Sequence, residues 1–576
     1  AYWRNGSELF LASPEYLKWA DEFAAWLQSK PEMKRMANMV FIRLGDYHLR
    51  IGNTIPAITY FEKALASIES NQEAMEKERA GAYPKRRKEV LRWLSVAHLR
   101  AGERENCLLQ FNEDACIFPL KEGGLWTLNE HALQAQVYLN EYLEADPTNP
   151  GARYLLNVAH MAAGTFPEGV PEQFRLPPPS AEAAVGMPRF TNVGFAVEVA
   201  YDSVAGGAIM DDFDNDGDLD LFATCLRQDT NCVYYRNEGN GRFTDVTEAA
   251  GLKGITGGLS ATQADVDGDG FLDIMICRGA WLGDEGRIPN VLLHNRGDGS
   301  FEDRSEASGI AEPAYPCLAA SWCDYDLDGD LDVYVGNERL GGKKFAPSQL
   351  LRNDGSGNFT DVAKQAGVEN LRYSRGVCWG DYDNDGDFDL YVSNFGELNR
   401  LYRNRGDGTF EDVAVQLGVA EQTPDPRKQK SFQSWFFDFN NDGWLDIFST
   451  SYPLTGAGGN VDFHTASMFG ERSTEETCKL WINDGHGGFH DATDEAGLQS
   501  TVFVMGANIS DLDADGWMDF YLASGAPAYE VLVPNAMMRN LGGTKVADVT
   551  AASGLGHLLK GHGVAFGDVD RDGDVD

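Results

Sequence analysis

The sequence predicts a multidomain chain of two unlike parts: an all-α helical repeat followed by an all-β seven-bladed β-propeller. Three observations predict it. An acidic nine-residue motif recurs seven times in the later part of the 576-residue chain, its starts 53, 59, 57, 57, 73 and 57 residues apart. A glycine-turn motif follows six of the seven copies. Ahead of both, residues 1–172 are rich in Leu, Ala, Glu, Arg and aromatics at helical spacing.

The helical part is read most clearly in "FIRLGDYHLRIGNTIPAITYFEKALASI" (41–68). Phe41, Leu44, Gly45, Gly52, Ala57, Phe61 and Ala64 match the tetratricopeptide pattern, in which small residues sit where paired helices touch. A looser copy runs from Leu91 through Leu94, Gly102 and Phe111 to Pro119, and residues 131–164 suggest a third pair. A stack of this kind serves as a cap or spacer, or as a concave docking surface for a peptide or protein. The proline-rich stretch 173–187 reads as a semi-rigid linker, and the propeller is assigned to 188–576.

Charge divides the chain at the same place. Residues 1–187 carry a net charge of −4 and residues 188–576 carry −37 of the total −41. A surface so negative repels nucleic-acid phosphates and anionic membranes. No apolar run approaches the roughly 18 residues needed to span a bilayer. No CxxC or HExxH motif occurs, and the ten histidines share no loop or spacing, so no acid–base constellation is read.

The acidic motif has the form D-x-D-x-D-G-x-x-D. Its positions 1, 3, 5 and 9 are Asp212, Asp214, Asp216 and Asp220 in the first copy, then Asp265, Asp267, Asp269 and Asp273. The third copy has Asp324, Asp326, Asp328 and Asp332, and the fourth Asp381, Asp383, Asp385 and Asp389. Asp438, Asn440, Asp442 and Asp446 form the fifth, Asp511, Asp513, Asp515 and Asp519 the sixth, and Asp568, Asp570, Asp572 and Asp576 the seventh. Two carboxylates about 4 Å apart repel by roughly 4 kcal/mol at an effective dielectric near 20. Four converging carboxylates contain six such pairs, so the loops require a cation. An oxygen-rich donor set without His or Cys suits calcium, and up to seven calcium ions are expected. Position 6 is Gly in every copy, position 7 varies, and position 8 is apolar, anchoring the loop. Asn440 keeps an oxygen but loses a charge, so the fifth site is expected to bind most weakly.

Each repeat reads as four short antiparallel strands. In the fourth, "SRGVCWG" enters the acidic loop, "LYVSN" leaves it, "NRLYRN" returns, and "RGDGTFEDVA" turns into a last strand. A period in the fifties with four strands indicates propeller blades. The loops and the N-x-G-x-G-x-F-x-D hairpins resemble the FG-GAP/VCBS repeats of integrin α-subunit propellers, and more closely those of the cartilage acidic protein (ASPIC/UnbV) family. The resemblance implies a calcium-bound, usually extracellular propeller used in adhesion or protein recognition, with no reaction attached. "RFTNVGF" (189–195) looks like a displaced outer strand closing the ring onto blade seven, and the seventh blade is expected to be truncated after Asp576.

Acidic loops and glycine hairpins share one face of such a propeller. The loops joining second and third strands lie on the other and vary in length and composition. Trp281, Arg339, Lys343, Lys344, Phe345, His464, Phe469 and Arg472 are expected to share that rim and to bind a partner, unless the variation is loop drift. The two "RGD" triplets, 296–298 and 405–407, fall at a repeat position where siblings read differently, so repeat drift accounts for them. Cys225 and Cys232 flank a short loop and are expected to form a disulfide, whereas Cys317 and Cys323 lie about 20 Å apart along one strand and are not.

Weak calcium sites suit millimolar calcium, so an exported bacterial protein, periplasmic or at the cell surface, is expected. Three functions fit this reading. The first is a non-enzymatic, calcium-binding scaffold for protein–protein recognition, adhesion or assembly. The others are a self-polymerising structural subunit, and a lectin or polysaccharide-acting enzyme whose loop face binds glycans.

Overall fold

The computed structural model describes residues 34–576 except 109–111, 180–181, 200, 202–204, 342–343, 421–428, 454–459 and 526–530, with isolated positions before residue 34. The first domain is helical: α1 (Lys34–Arg50), α2 (Thr54–Ser70), α3 (Gln72–Glu78), α4 (Ala82–Glu103), α5 (Glu130–Ala145) and α6 (Pro150–Ala162). α1 packs on α2, α2 on α4, α4 on α5 and α5 on α6. Small residues set these approaches. A Cβ on Gly45 would lie 2.5 Å from the Phe61 ring, and one on Gly102 would lie 2.2 Å from Trp126. Asn149 caps α6 by accepting from the Ala152 N–H at 2.8 Å, with Pro150 preset for the first turn.

The second domain is a β-propeller of four-stranded sheets, each in simple sequence order. They are β1–β4 (Ala208–Asp211, Asp220–Ala223, Val233–Asn237, Phe243–Asp245) and β5–β8 (Ser260–Ala264, Asp273–Cys277, Val291–Asn295, Phe301–Asp303). Then come β9–β12 (Cys317–Cys323, Asp332–Asn337, Gln349–Asn353, Phe359–Asp361) and β13–β16 (Ser374–Gly380, Asp389–Asn394, Arg400–Asn404, Phe410–Asp412). β17–β20 (Ser431–Phe437, Asp446–Ser451, Lys479–Asn483, Phe489–Asp491) and β21–β24 (Val504–Ser510, Asp519–Ser524, Ala536–Asn540, Val546–Asp548) complete the set. Second strands such as "DLYVSN" are buried along their whole length, because each is covered by the neighbouring blades on both faces.

Among the described residues six sheets form where the repeat count predicts seven blades. The seventh acidic motif occupies residues 568–576, and the segment ahead of it belongs to none of these sheets. That segment is nonetheless seated in the ring. Residues 562–566 line the central channel of about 460 Å³ beside the first strands of the six sheets. Asn508 Nδ2 donates to the Val564 carbonyl at 3.3 Å. The close approach needs glycine: a Cβ on Gly506 would overlap the His562 carbonyl oxygen at 1.3 Å.

Residues 189–199 form no strand, but they make the contacts of an outer strand. In complete blades the outer-strand residue donates its N–H to the preceding repeat, as Phe301 does to Ala250 (2.9 Å) and Phe359 to Ser308 (2.8 Å). Phe190 donates to Ser553 at 2.7 Å in the same way, and Phe243 donates to Val197 at 3.2 Å. Glu198 takes φ +67°, where the equivalent turn after β4 uses Gly251 at +79°. The early segment thus bridges blade six and blade one.

One apolar core runs through both domains. Leu94, Leu155 and Ala159 of the helices share it with Leu259, Leu318, Phe432, Phe503 and Val531 of the propeller. The linker is strapped at both ends. Asn157 binds the Phe174 carbonyl (2.7 Å) and the Leu176 N–H (3.0 Å), while Arg539 donates to the carbonyls of Ala183 (3.3 Å) and Val185 (2.5 Å).

Candidate metal loops and the rim

The seven acidic loops share one hydrogen-bond plan. The position 1 carboxylate accepts the backbone N–H groups of positions 5 and 6; for Asp381 these come from Asp385 (3.1 Å) and Gly386 (3.0 Å). Asp212 and Asp568, at the two ends of the series, repeat both bonds. Position 5 accepts from position 7, as Asp385 does from Asp387 at 3.0 Å. The glycine at position 6 turns the chain at φ +95° in Gly386, a region that disfavours side chains. Position 9 begins the second strand and is fully buried in Asp220, Asp332, Asp446 and Asp519. Its Oδ1 accepts the N–H of an asparagine ending the third strand, from Asn237 in blade one (2.8 Å) to Asn540 in blade six (2.8 Å).

Position 3 is different. Oδ1 of Asp214, Asp267, Asp326, Asp383 and Asp513 is buried with no hydrogen-bond donor. Carboxylate oxygens from positions 1, 3 and 5 approach within 4.8 Å of one another in several loops. Burial also raises the position 9 carboxyls: Asp389 to about 8, Asp332, Asp446 and Asp519 to about 7, and Asp220 to about 6. Buried carboxylates with unused lone pairs fit a hard, oxygen-seeking dication, which takes about 6–8 oxygen ligands.

Three loops depart from the plan. In the fifth, Asn440 Nδ2 donates to Asp442 Oδ2 at 2.9 Å, so an amide stands where the other loops carry a position 3 carboxylate. In the sixth, the Arg539 guanidinium pairs with Asp513 and with Asp515 (3.0 Å). In the second, His294 of β7 places Nδ1 at 3.1 Å from Asp273 Oδ1 and 3.5 Å from Asp267 Oδ2.

The opposite rim carries the expected partner residues, and several are engaged by the chain itself. The long loop after β18 contains helix α7 (Asn460–Ala466), which packs on α6. His464 is buried there and stacks on Phe503 at 6.3 Å. Phe469 lies under the Arg153 guanidinium at 3.8 Å, and Arg153 also pairs with Glu471 at 2.9 Å. Arg92 of α4 pairs with Asp462 at 3.1 Å. Trp281, half-buried at φ +68°, packs against the shared core. The helical domain therefore covers part of the face on which a separate partner is expected. Arg472 is exposed and pairs with Asp494 at 3.0 Å. Arg339 lies 6.0 Å from the Phe345 ring, Lys344 is exposed, and Lys343 lies outside the described residues.

Sequence reading missed a buried ion pair at this rim. Arg375 and Glu338 are almost wholly buried and paired, and Glu338 also accepts the Trp281 N–H at 2.7 Å. The rings of Tyr373, Phe432, Phe395 and Trp281 lie 4.1, 5.3, 5.4 and 5.9 Å from the Arg375 guanidinium. Glu338 and Arg375 sit in different repeats at non-equivalent positions, so no motif marked them. The asparagine ending each third strand heads the N-x-G-x-G-x-F-x-D hairpin motif, but its buried hydrogen bonds were not read from the sequence.

Cys225 and Cys232 are buried free thiols, which corrects the expected disulfide. Ala223 pairs with Val233 in the β2–β3 register. Both cysteines lie just beyond the paired residues of β2 and β3.

Comparison with known proteins agrees with this architecture. The FG-GAP-like repeat model matches residues 212–276, 340–392 and 389–449. Human cartilage acidic protein 1 is 27% identical over 241 residues, covering 38% of this chain and 33% of that protein. The mouse protein is 27% identical over 301 residues, 49% of this chain and 41% of its own length. The matched region thus spans well under half of these curated relatives. Among solved structures, the V. cholerae biofilm matrix protein Bap1 aligns over 65% of this chain and 84% of its own, at 10% identity and a TM-score of 0.30. The chain carries FG-GAP-like repeats in a β-propeller homologous to cartilage acidic protein 1, with a helical domain ahead of it.

Proposed function

We propose that the protein is a calcium-loaded, exported scaffold for protein recognition. One observation carries the calcium reading: in five loops a buried carboxylate oxygen at position 3 has no hydrogen-bond donor. An unsatisfied buried carboxylate is costly unless a cation meets it. Similarity to cartilage acidic protein 1 and the FG-GAP-like repeats support recognition as the use of this scaffold. Export follows from the calcium reading, since weak extracellular sites fill at millimolar calcium. Among the described residues, no helix is long and apolar enough to cross a membrane.

In this reading the helical domain is a built-in occupant of the propeller rim. An external partner is left the uncovered rim near Arg339, Lys344 and Phe345 and the outer surface of the helices. A melting curve with and without EGTA tests the calcium reading. A fall of several degrees on chelation, restored by added calcium, is expected, and coincident curves would remove calcium from the account. Protease treatment of intact producing cells tests export: a cell-surface protein is cleaved, and full protection in both intact cells and spheroplasts rejects the reading.

A further inference from the structure

We propose that the second acidic loop is a mixed nitrogen–oxygen site that selects a borderline transition-metal ion, such as zinc or cobalt, over calcium. The inference rests on reading the loops as cation sites, and it concerns the one loop in which a histidine joins the carboxylates.

The residue before the third-strand asparagine faces position 3 of the loop. It is Arg236, Arg352, Arg403 and Arg539 in blades one, three, four and six, and Ile482 in blade five. Arg352 and Arg539 each pair with the position 3 aspartate of their loop. A guanidinium has no lone pair to offer a metal. Blade two has His294 at this position, and a neutral imidazole is a ligand.

The geometry fits. One ligand atom from each of Asp267, Asp273 and His294 lies within 4.8 Å of the others, and Asp267 also belongs to the loop's own triad with Asp265 and Asp269. His294 Nδ1 is hydrogen-bonded to Asp273 Oδ1 at 3.1 Å and lies 3.5 Å from Asp267 Oδ2, so a bound metal would take the place of the Nδ1 proton. Metal–ligand bonds of about 2.1 Å imply ligand–ligand edges of about 3.0 Å in an octahedron and 3.4 Å in a tetrahedron. The bonds to calcium, about 2.4 Å, open an octahedral edge to about 3.4 Å, and calcium prefers oxygen throughout. Asp273 is buried beneath the site, and Asp267 Oδ1 is buried without a donor. Oδ2 of Asp267, the oxygen facing His294, is also approached by Arg304 at 3.5 Å, while Oδ1 has no donor. Position 7 is Phe271, whose ring packs against the position of Gly297.

The test loads the full chain with cobalt(II) at a fixed millimolar calcium concentration, then dialyses against calcium alone. Wild type is expected to retain one cobalt equivalent, with visible d–d bands and nitrogen hyperfine coupling in pulsed EPR. His294→Arg installs the residue carried by four sibling loops. It should lose that equivalent while its circular-dichroism melt stays unchanged. Retention of cobalt by His294→Arg, absence of retained cobalt in wild type, or absence of nitrogen coupling would each overturn the proposal. The spectroscopic readout on wild type needs no variant. Calcium content measured on the same samples reports separately on the calcium reading: wild type without calcium but with nitrogen-ligated cobalt would reject that reading and keep this one.

Discussion

Asn237 donates its side-chain amide to the Val569 carbonyl at 3.0 Å, joining the first blade to the final acidic loop across 332 residues of sequence. The bond is one member of a series. Asn295 reaches Phe213, Asn353 reaches Val266, Asn404 reaches Tyr325, Asn483 reaches Tyr382 and Asn540 reaches Phe439, each binding the second residue of the preceding loop at 2.7–3.0 Å. Every blade is thus buttoned to the loop before it by one buried amide.

Cutting a button should act locally at the seam and globally elsewhere. Asn295→Ala leaves the buried carbonyls of Phe213 and Leu272 without their donor, and a loss of about 1–3 kcal/mol in global stability is expected by chemical denaturation. Asn237→Ala should leave the main transition nearly in place and raise hydrogen exchange in residues 560–576. Equal global losses in the two variants would contradict a separately held final segment.

The fifth loop offers a change of sign. Asn440→Asp removes the amide that meets Asp442 and adds a fourth carboxylate. Without calcium the variant should melt below wild type, because like charges then converge unopposed. With calcium it should melt above it, and the affinity of that site should rise by about tenfold, since charge count tunes such loops. Calorimetry in both states checks the crossing, and a variant displaced the same way in both would refute it.

Acid should loosen the helical domain at His98 and its contact with the propeller at His464. His98 and His464 are held neutral by burial, with pKa values lowered from 6.5 to about 4. His98 also faces His131, and each buried ring has a nitrogen with no hydrogen-bond partner. Because the folded pKa lies below the unfolded one, the unfolded state binds more protons between pH 6.5 and 4. Stability is therefore present above pH 6.5 and falls through that window, by up to about 3 kcal/mol per histidine. His464→Asn, measured against wild type in saturating calcium, should show the shallower decline. Parallel profiles would argue against the assignment.

The interface can also be opened sterically. A Cβ on Gly151 would lie 2.1 Å from Asp462 Oδ1 and 2.8 Å from Val461. Gly151→Val should cost about 1–3 kcal/mol by overpacking at the α6–α7 contact. The expected signature is new protease cleavage within 173–187 and a larger radius of gyration by small-angle scattering, with the propeller's own transition retained. An unchanged scattering profile would show that the helices do not depend on this contact.

The candidate metal loops were legible because their chemistry is local. Asp381, Asp383, Asp385, Gly386 and Asp389 act within nine residues, so spacing alone placed each donor. The four-strand order was legible for the same reason, as each hairpin closes between sequence neighbours. The thiols of Cys225 and Cys232 were misread because their separation in sequence does not settle whether the two sulfurs bond. His294 was overlooked because it lies outside the motif and meets Asp267 and Asp273 only when β7 pairs with β6.

By itself, the sequence determined a helical first part, a repeated four-strand second part, and the spacing of the carboxylates within every acidic loop. These follow from short-range stereochemistry and from charge that cannot be left uncompensated. Tertiary structure alone decided that the helices cover part of the rim, that Glu338 pairs with Arg375, and that His294 meets Asp267 and Asp273. Those outcomes depend on residues of separate strands, blades or domains becoming neighbours, as Asn237 and Val569 do, and no local pattern encodes which surfaces meet.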